Sequence, residues 1–267
     1  LQDEIEVTKP IFKGENICFM GEDIKKGERL KSQGERLTAF DLGVCAALGI
    51  SHITVYKNPA IAIISSGDEI VDIEKNPPLG KIRDINRYTI TNLLKKEGVQ
   101  CNFLGIAKDA IHDISTKLEA AKAYDMTIVS GGSSKGERDF IVDAIVKLGG
   151  NILFHGVNIK PGKPVICGTL WGKPVFGLPG HPVSCILVLI RFVMPLIRKL
   201  KGELTTEGKN IKGILATNVP SSYGIEEYIR VTTNYRGETL TIHPLFAKSS
   251  VISPLSQASG YIVVPEG

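Results

Sequence analysis

The stretch Ala60-Ile61-Ala62-Ile63-Ile64-Ser65-Ser66-Gly67-Asp68-Glu69 decides the fold. Ala60 to Ile64 has no polar face, and it ends in a turn of serine, glycine and acidic residues. A run of this kind reads as a strand of a parallel sheet covered on both sides, because polar and apolar residues alternate only where one face is wet. The pattern recurs. Met126 to Val129 leads into Ser130-Gly131-Gly132-Ser133-Ser134, and Pro174 to Phe176 leads into Gly177-Leu178-Pro179-Gly180-His181-Pro182. In an open parallel sheet the carboxyl ends of the strands share one edge, so turns far apart in sequence meet there, and ligands bind at that edge.

Working outward, strand and helix patterns alternate from Pro59 to Gly202. A helix is expected from Asn86 or Arg87 to Glu97, stopped by Gly98, followed by a strand over Cys101 to Ile106. The next helix, about Ala110 to Ala123, sets Ile111, Ile114, Leu118 and Ala121 on one apolar stripe. Phe140 to Leu148 is a third helix and Ile152 to Phe154 a strand; a hairpin over Val165 to Leu178 and a helix from Pro182 follow. The expectation is a three-layer α/β domain over 58–202 with a mostly parallel sheet. It is flanked by an N-terminal partial domain, 1–57, in which Thr38 caps a short helix from Phe40 to Leu48 that Gly49 stops. After 202 the texture changes to short alternating strands, Glu227 to Thr233, Glu238 to His243 and Tyr261 to Val264, so 203–267 reads as a small β domain.

Composition narrows the function classes. The 267 residues are 43% hydrophobic and 22% charged, ordinary for a globular protein. The 32 basic residues are interspersed with 28 acidic ones for a net charge of +4, too mild a balance to point to nucleic acid. Val183 to Ile197, the most apolar stretch, is shorter than a bilayer span and contains Arg191 and Pro195, which makes it a core helix and not a membrane anchor. Five cysteines without a CxxC pair read as mostly buried thiols in a reducing, cytoplasmic setting. The chain starts at Leu1 with no leader pattern and reads as a piece of a longer protein.

The turns suggest what the edge binds. Glycine lets backbone N–H groups approach an anion, and a following helix adds its positive end, so Ser130 to Gly136 suits phosphate; taken alone, such a turn is more often ligand-free. Lys160 and Lys163 bracket Pro161-Gly162, which holds two ammonium groups at one tip, against the bland reading of two solvated lysines. Asp68, Glu69, Asp84, Asp109, Glu137 and Asp139 fall in turns after strands, where carboxylate oxygens suit Mg²⁺ bridged to ligand phosphates. Taken singly, Asp109 reads as a helix cap, as does Asp84 or Asn86. The five histidines lack zinc spacing; His181 is set apart by lying in the Pro-Gly-His-Pro turn. Neither a GxSxG elbow nor a Walker A sequence is present.

Gly21-Glu22-Asp23-Ile24, Ser66-Gly67-Asp68-Glu69, Asp84 to Tyr88, Ser130 to Asp139, Lys160 to Pro164 and Gly177 to Ser184 occur in the order and spacing of the molybdopterin molybdenumtransferases, and Ala258 to Gly267 resembles the end of their last domain. The chain is therefore identified as resembling the MoeA-type enzymes, a family that includes the C-terminal part of gephyrin. The resemblance implies insertion of molybdenum from molybdate into adenylylated molybdopterin (molybdopterin-AMP), assisted by Mg²⁺, with release of AMP. A homodimer is implied as well. By motif position, Asp23, Glu69, Asp109 and Asp139 are the acidic active-site residues, with Glu69, Asp109 and Asp139 toward the metal. The pterin, a small polyanion, is then met by Ser66, Gly67, Asp84, Asn86, Ser130, Gly131, Gly132, Ser133, Ser134, Lys160, Lys163, Pro179, Gly180 and His181. The chain departs from the family at Cys18-Phe19-Met20, where arginine is usual before Gly-Glu-Asp, at Gly156, often basic, and at His181, usually asparagine. A non-catalytic pterin-binding or scaffolding module, and a MogA-type molybdopterin adenylyltransferase, are the competing readings.

Overall fold

Thr38 starts the first helix as its neighbours require: its hydroxyl accepts the Asp41 N–H, and the Asp41 carboxylate accepts the Thr38 N–H at 2.7 Å, a reciprocal capping box. This helix, α1 (Ala39–Ala47), ends on Gly49 at φ +73°, with Gly49 N–H donating to the Ala46 carbonyl and Ile50 N–H to that of Cys45. The computed structural model describes residues 6, 8–131, 139–204 and 210–267. They form two compact units, 1–54 and 55–267, and α1 belongs to the first. Gly132, Ser133 and Ser134, expected to cradle a phosphate, lie outside the described residues.

The second unit runs β1 (Ala60–Ser66), β2 (Ile70–Val71), β3 (Ile82–Arg83), α2 (Asn86–Lys96), β4 (Gln100–Ala107), α3 (Ile111–Ala120), β5 (Met126–Ser130), α4 (Phe140–Lys147), β6 (Asn151–His155), β7 (Ile159–Lys160), β8 (Ile166–Leu170) and β9 (Lys173–Leu178). It continues with α5 (Pro182–Val188), α6 (Met194–Leu200), β10 (Ile214–Leu215), β11 (Glu226–Arg236), β12 (Thr239–Pro244), α7 (Ser253–Gln257) and β13 (Gly260–Val264). The main sheet has the order β4-β1-β5-β9-β8-β6. Its β4, β1, β5 and β9 are parallel neighbours, whereas β8 is antiparallel to both β9 and β6. The mostly parallel three-layer architecture expected from the sequence is therefore present.

Adjacent residues of one strand point to opposite faces, and both faces are covered. Ile61, Ile63, Met126 and Ile128 join the core that includes Ile90, Leu94, Val188 and Ile197. Ile64 and Val129 join Ile114, Leu118, Ile141 and Ile145 on the other side. That is why the strand sequences carry no polar alternation. The α3 stripe behaves as its spacing predicts, with Ile114, Leu118 and Ala121 buried and Ile111 packed at the edge. Between α5 and α6, Leu189–Val193 forms a wide π-helical turn directly before Pro195. Proline cannot donate an amide hydrogen, and the wider turn absorbs that defect. No helix among the described residues is long and apolar enough to cross a membrane.

The C-terminal sheet, β10-β12-β11-β13, is larger than its sequence pattern suggests. Asn234 to Arg236, beyond the expected end of the strand at Thr233, continue β11: Arg236 pairs with Thr239, leaving Gly237, at φ +61°, and Glu238 as a two-residue hairpin loop. The two sheets are joined by one strand pairing. β7, which leaves the main sheet between β6 and β8, pairs in parallel with β11, and both sheets belong to the same unit. Of the five thiols, Cys167 and Cys185 are buried, Cys45 and Cys101 half-buried and Cys18 exposed, so burial is less general than expected.

Asp139 starts α4, its Oδ1 accepting the N–H groups of Ile141 at 3.1 Å and Val142 at 3.4 Å, while its Oδ2 lies 3.3 Å from His155 Nε2. Burial pushes its carboxyl above the ordinary 3.8, against the pull of those N–H groups and His155. A raised folded-state value means that folding disfavours the ionised form, so the stability from this group falls as pH rises through the window above 3.8. Asp139→Ala is expected to cost about 1 kcal/mol through loss of the cap, and Asp139→Asn little. In urea titrations the stability of the native chain minus that of Asp139→Asn is expected to decline on raising pH through that window; a rise would contradict the sign. A second measurement concerns Gly131, at φ +101°, where an added Cβ would lie 1.9 Å from the Ser66 carbonyl oxygen. Gly131→Ala is expected to lower the urea midpoint by the equivalent of about 3 kcal/mol or more, since backbone must move to admit the methyl group.

Candidate functional site

Ser65 and Ser66 are the last residues of β1, so their hydroxyls point to opposite sides of the sheet edge. Ser65 Oγ donates to Asp84 Oδ2 at 2.5 Å, and Asp84 Oδ1 accepts the Arg87 N–H at 3.1 Å, which holds the start of α2 against β1. On the other side Ser66 Oγ donates to Asp109 Oδ1 at 2.9 Å, and the Asp109 N–H reaches Asp68 Oδ1 at 3.3 Å. The turn after β5 is tied in by Asn86, whose Nδ2 donates both to Ser130 Oγ and to the Gly180 carbonyl, each at 2.9 Å. Gly131 N–H donates to the Leu178 carbonyl at 3.0 Å. Turns following β1, β5 and β9 thus meet at one edge, as the sequence predicts, and the turn after β4 joins them through Asp109. Asn86 Oδ1 is buried there with no partner among the described residues. Ser130 Oγ also contacts Cys185 Sγ at 3.7 Å, and complete burial pushes that thiol up to about 12, which rules it out as a nucleophile at neutral pH.

Side chains read from sequence as helix caps divide between two jobs. Asp84 serves α2 by accepting Arg87 N–H, whereas Asn86 is spent on the neighbouring turns. Asp109 does not cap α3: the N-cap residue is Ala110, without a side-chain bond, and Asp109 faces Ser66 instead. Glu69 lies over the same turn, its Oε2 only 3.0 Å from where a Cβ on Gly67 would stand. Asp68, Glu69 and Asp109 are therefore neighbours, while Asp139 is held at the start of α4 by its own amides and His155. No group of three or more His, Cys, Asp or Glu placed to hold a metal ion occurs among the described residues, so Glu69, Asp109 and Asp139 do not form a protein-only cage. Beside this turn a cleft of about 620 Å³ is lined by Gly67, Asp68, Asp72, Lys75, Lys81 and Lys108.

The lysine loop differs from its sequence reading in one respect. Lys163 is exposed, but Lys160, expected as a second free ammonium, lies 3.3 Å from Oε1 of Glu227, a carboxylate that is only 5% exposed. Burial alone would raise the Glu227 carboxyl; hydrogen bonds from Ser222 and the Lys160 ammonium outweigh it and hold the group below its ordinary value. His181 precedes α5 without capping it, and its Nδ1 meets Ser249 Oγ at 3.1 Å. The Val183 N–H donates to the Ser249 carbonyl, so the turn after β9 touches the segment beyond β12. Arg230, which sequence reasoning missed, joins that segment: its Nη2 donates to the Ala247 carbonyl at 2.5 Å, and its Nη1 is buried with no partner among the described residues. Its only sequence signal is a charge between Ile229 and Val231 in a strand. Gly156 stands at φ +85°, a backbone conformation that favours glycine over a residue with a side chain.

Asp23 lies in the first unit, exposed beside a cleft of about 610 Å³ lined by Cys18, Phe19, Ile24, Phe40 and Val44 among others.

Residues 62–199 match the probable molybdopterin binding domain, and residues 212–267 match the MoeA C-terminal region (domain IV). Over its whole length the chain is 32% identical to a putative molybdopterin biosynthesis protein of Methanocaldococcus jannaschii, of which it covers 66%. It is 33% identical over 98% of its length to the molybdopterin molybdenumtransferase of Haemophilus influenzae, covering 65% of that protein. The crystal structure of a molybdopterin biosynthesis MoeA protein from Pyrococcus horikoshii superposes with a TM-score of 0.76 at 30% identity, over 97% of this chain and 63% of the other. The chain thus spans slightly less than two thirds of the relatives it matches. With both regions matched, the chain belongs to the MoeA-type molybdopterin-binding family.

Proposed function

We propose that this chain is the substrate-binding and catalytic part of a molybdopterin molybdenumtransferase, which takes adenylylated molybdopterin and molybdate, inserts the metal, and releases AMP by hydrolysis of the phosphoanhydride. The observation that carries the reading is the junction at the sheet edge, where Asn86 ties Ser130 to Gly180 and Ser66 aims Asp109 at the Gly67 turn. It supplies hydroxyl and amide groups for a phosphorylated pterin, and the unpartnered Asn86 Oδ1 is an acceptor suited to a pterin N–H. The buried, unpartnered Nη1 of Arg230 and the Lys160–Lys163 loop supply cationic donors for oxyanions. A homodimer and a cytoplasmic setting accompany the proposal, on the strength of the family resemblance.

The donor set also fits Mg²⁺. Asp68, Glu69 and Asp109 offer hard oxygen atoms on adjoining turns but no complete cage, and Mg²⁺ ordinarily keeps waters and completes its sphere with one or two carboxylates and substrate phosphates. Glu69 and Asp109 would hold it, and bound there it would neutralise phosphate charge and polarise the bond to be cleaved. The chain's own part is to position: Ser66 fixes the rotamer of Asp109, and Gly67 keeps the turn open to Glu69. Asp139, half-buried with a carboxyl raised by burial, is suited to exchange a proton with the reacting groups.

Two assays on the same protein separate binding from chemistry. Glu69→Gln, Asp109→Asn and Asp139→Asn are expected to bind adenylylated molybdopterin with nearly native affinity. Each is expected to slow AMP release by about 100-fold in the presence of molybdate and Mg²⁺. A parallel loss of binding would make these side chains parts of the fold. Tight binding by the native protein without any AMP release would favour the non-catalytic module.

A further inference from the structure

We infer that Glu227 is a positioning residue for Lys160, so that the C-terminal sheet sets where the oxyanion-binding ammonium stands. The inference rests on the proposed reading of Lys160 as an anion ligand. A carboxylate buried to 5% exposure persists only when charge and hydrogen bonds compensate its lost hydration. Glu227 Oε1 has both, accepting the Ser222 N–H at 2.8 Å and the Lys160 ammonium at 3.3 Å.

The backbone fixes this pair. β7 and β11 run parallel with Glu227 opposite Lys160 in register, and the Glu226 N–H donates to the Asn158 carbonyl at 3.1 Å. Asn158 Nδ2 adds a bond to the Gly224 carbonyl at 2.5 Å. Gly162 closes the loop from below, packed so tightly on Val188 and Ile159 that a Cβ would come within 2.9 Å of the former. Lys160 nevertheless remains open, its side chain 58% exposed. An ammonium has three donors, and one directed to Glu227 leaves two for a ligand. A free lysine loses rotamer freedom when it binds; one tethered in the folded state has lost it already. Lys163 is exposed and has no such tether among the described residues.

A neighbouring carboxylate also repels anions, so the sign of the effect discriminates between a positioning group and a brake. The test compares molybdate affinity by calorimetry in the native chain, Glu227→Gln, Lys160→Ala and the double variant, with the acetylation rate of Lys160 read by mass spectrometry. Glutamine keeps an acceptor for the Ser222 N–H, which protects the fold. Glu227→Gln is expected to weaken molybdate binding by about fivefold, to have no effect where Lys160 is already alanine, and to speed Lys160 acetylation. Tighter binding, an equal loss in the Lys160→Ala background, or unchanged acetylation would overturn the inference. If acetylation rises while Lys160→Ala leaves molybdate affinity untouched, the tether is established and the oxyanion role of Lys160 is what fails.

Discussion

The close approach of Gly131 to the Ser66 carbonyl oxygen is the constraint on which the site depends. It requires a residue without a Cβ in a left-handed conformation, and it sets the turn after β5 directly against the end of β1. Only with those two strand ends at backbone contact do Ser130 and Ser66 occupy the same edge. Asn86 then spans from α2 to Ser130 and Gly180, converting three neighbouring turns into one hydrogen-bonded junction. The sheet core beneath supplies the rigidity, since Ile61, Ile63, Ile64, Ile128 and Val129 are fully buried and each contributes about 1.5 to 3 kcal/mol by leaving water.

Charges of both signs stand around the Gly67 turn. Acidic groups gather on the β1 and β4 side, where Asp68, Glu69 and Asp109 surround the Gly67 turn. Lys75, Lys81 and Lys108 line the cleft beside them, and further basic groups stand on the C-terminal sheet and the loop it clamps, at Arg230 and Lys160. Under the proposed function a pterin N–H would partner Asn86 Oδ1, and a phosphate or molybdate oxygen would partner Arg230 Nη1. Buried polar atoms without a partner are rare in folded proteins.

The C-terminal sheet is more than an appended domain. β7 is drawn out of the α/β layers to pair with β11, and Ser249 meets the His181 turn from the same direction. This dual anchoring gives His181 a role that its position in the sequence does not disclose. At the residue before α5, asparagine would ordinarily cap the helix, but histidine reaches across to Ser249 instead.

The primary sequence determined the local and the periodic. Strand runs without a wet face, the α3 stripe, the Thr38 cap and the glycine-rich turns after β1, β5 and β9 are all legible in it, because each depends on residues a few positions apart. What it left undecided is the partner of each polar side chain. Asp109 and Asn86 read as caps because capping is the commonest use of such residues near a helix start, yet tertiary proximity gave Asp109 to Ser66 and Asn86 to Ser130 and Gly180. Lys160 read as free because its counterion is 67 positions away. A hydrogen bond is specified by the distance and direction of two atoms in space, and for residues so far apart along the chain only the packed fold sets either one.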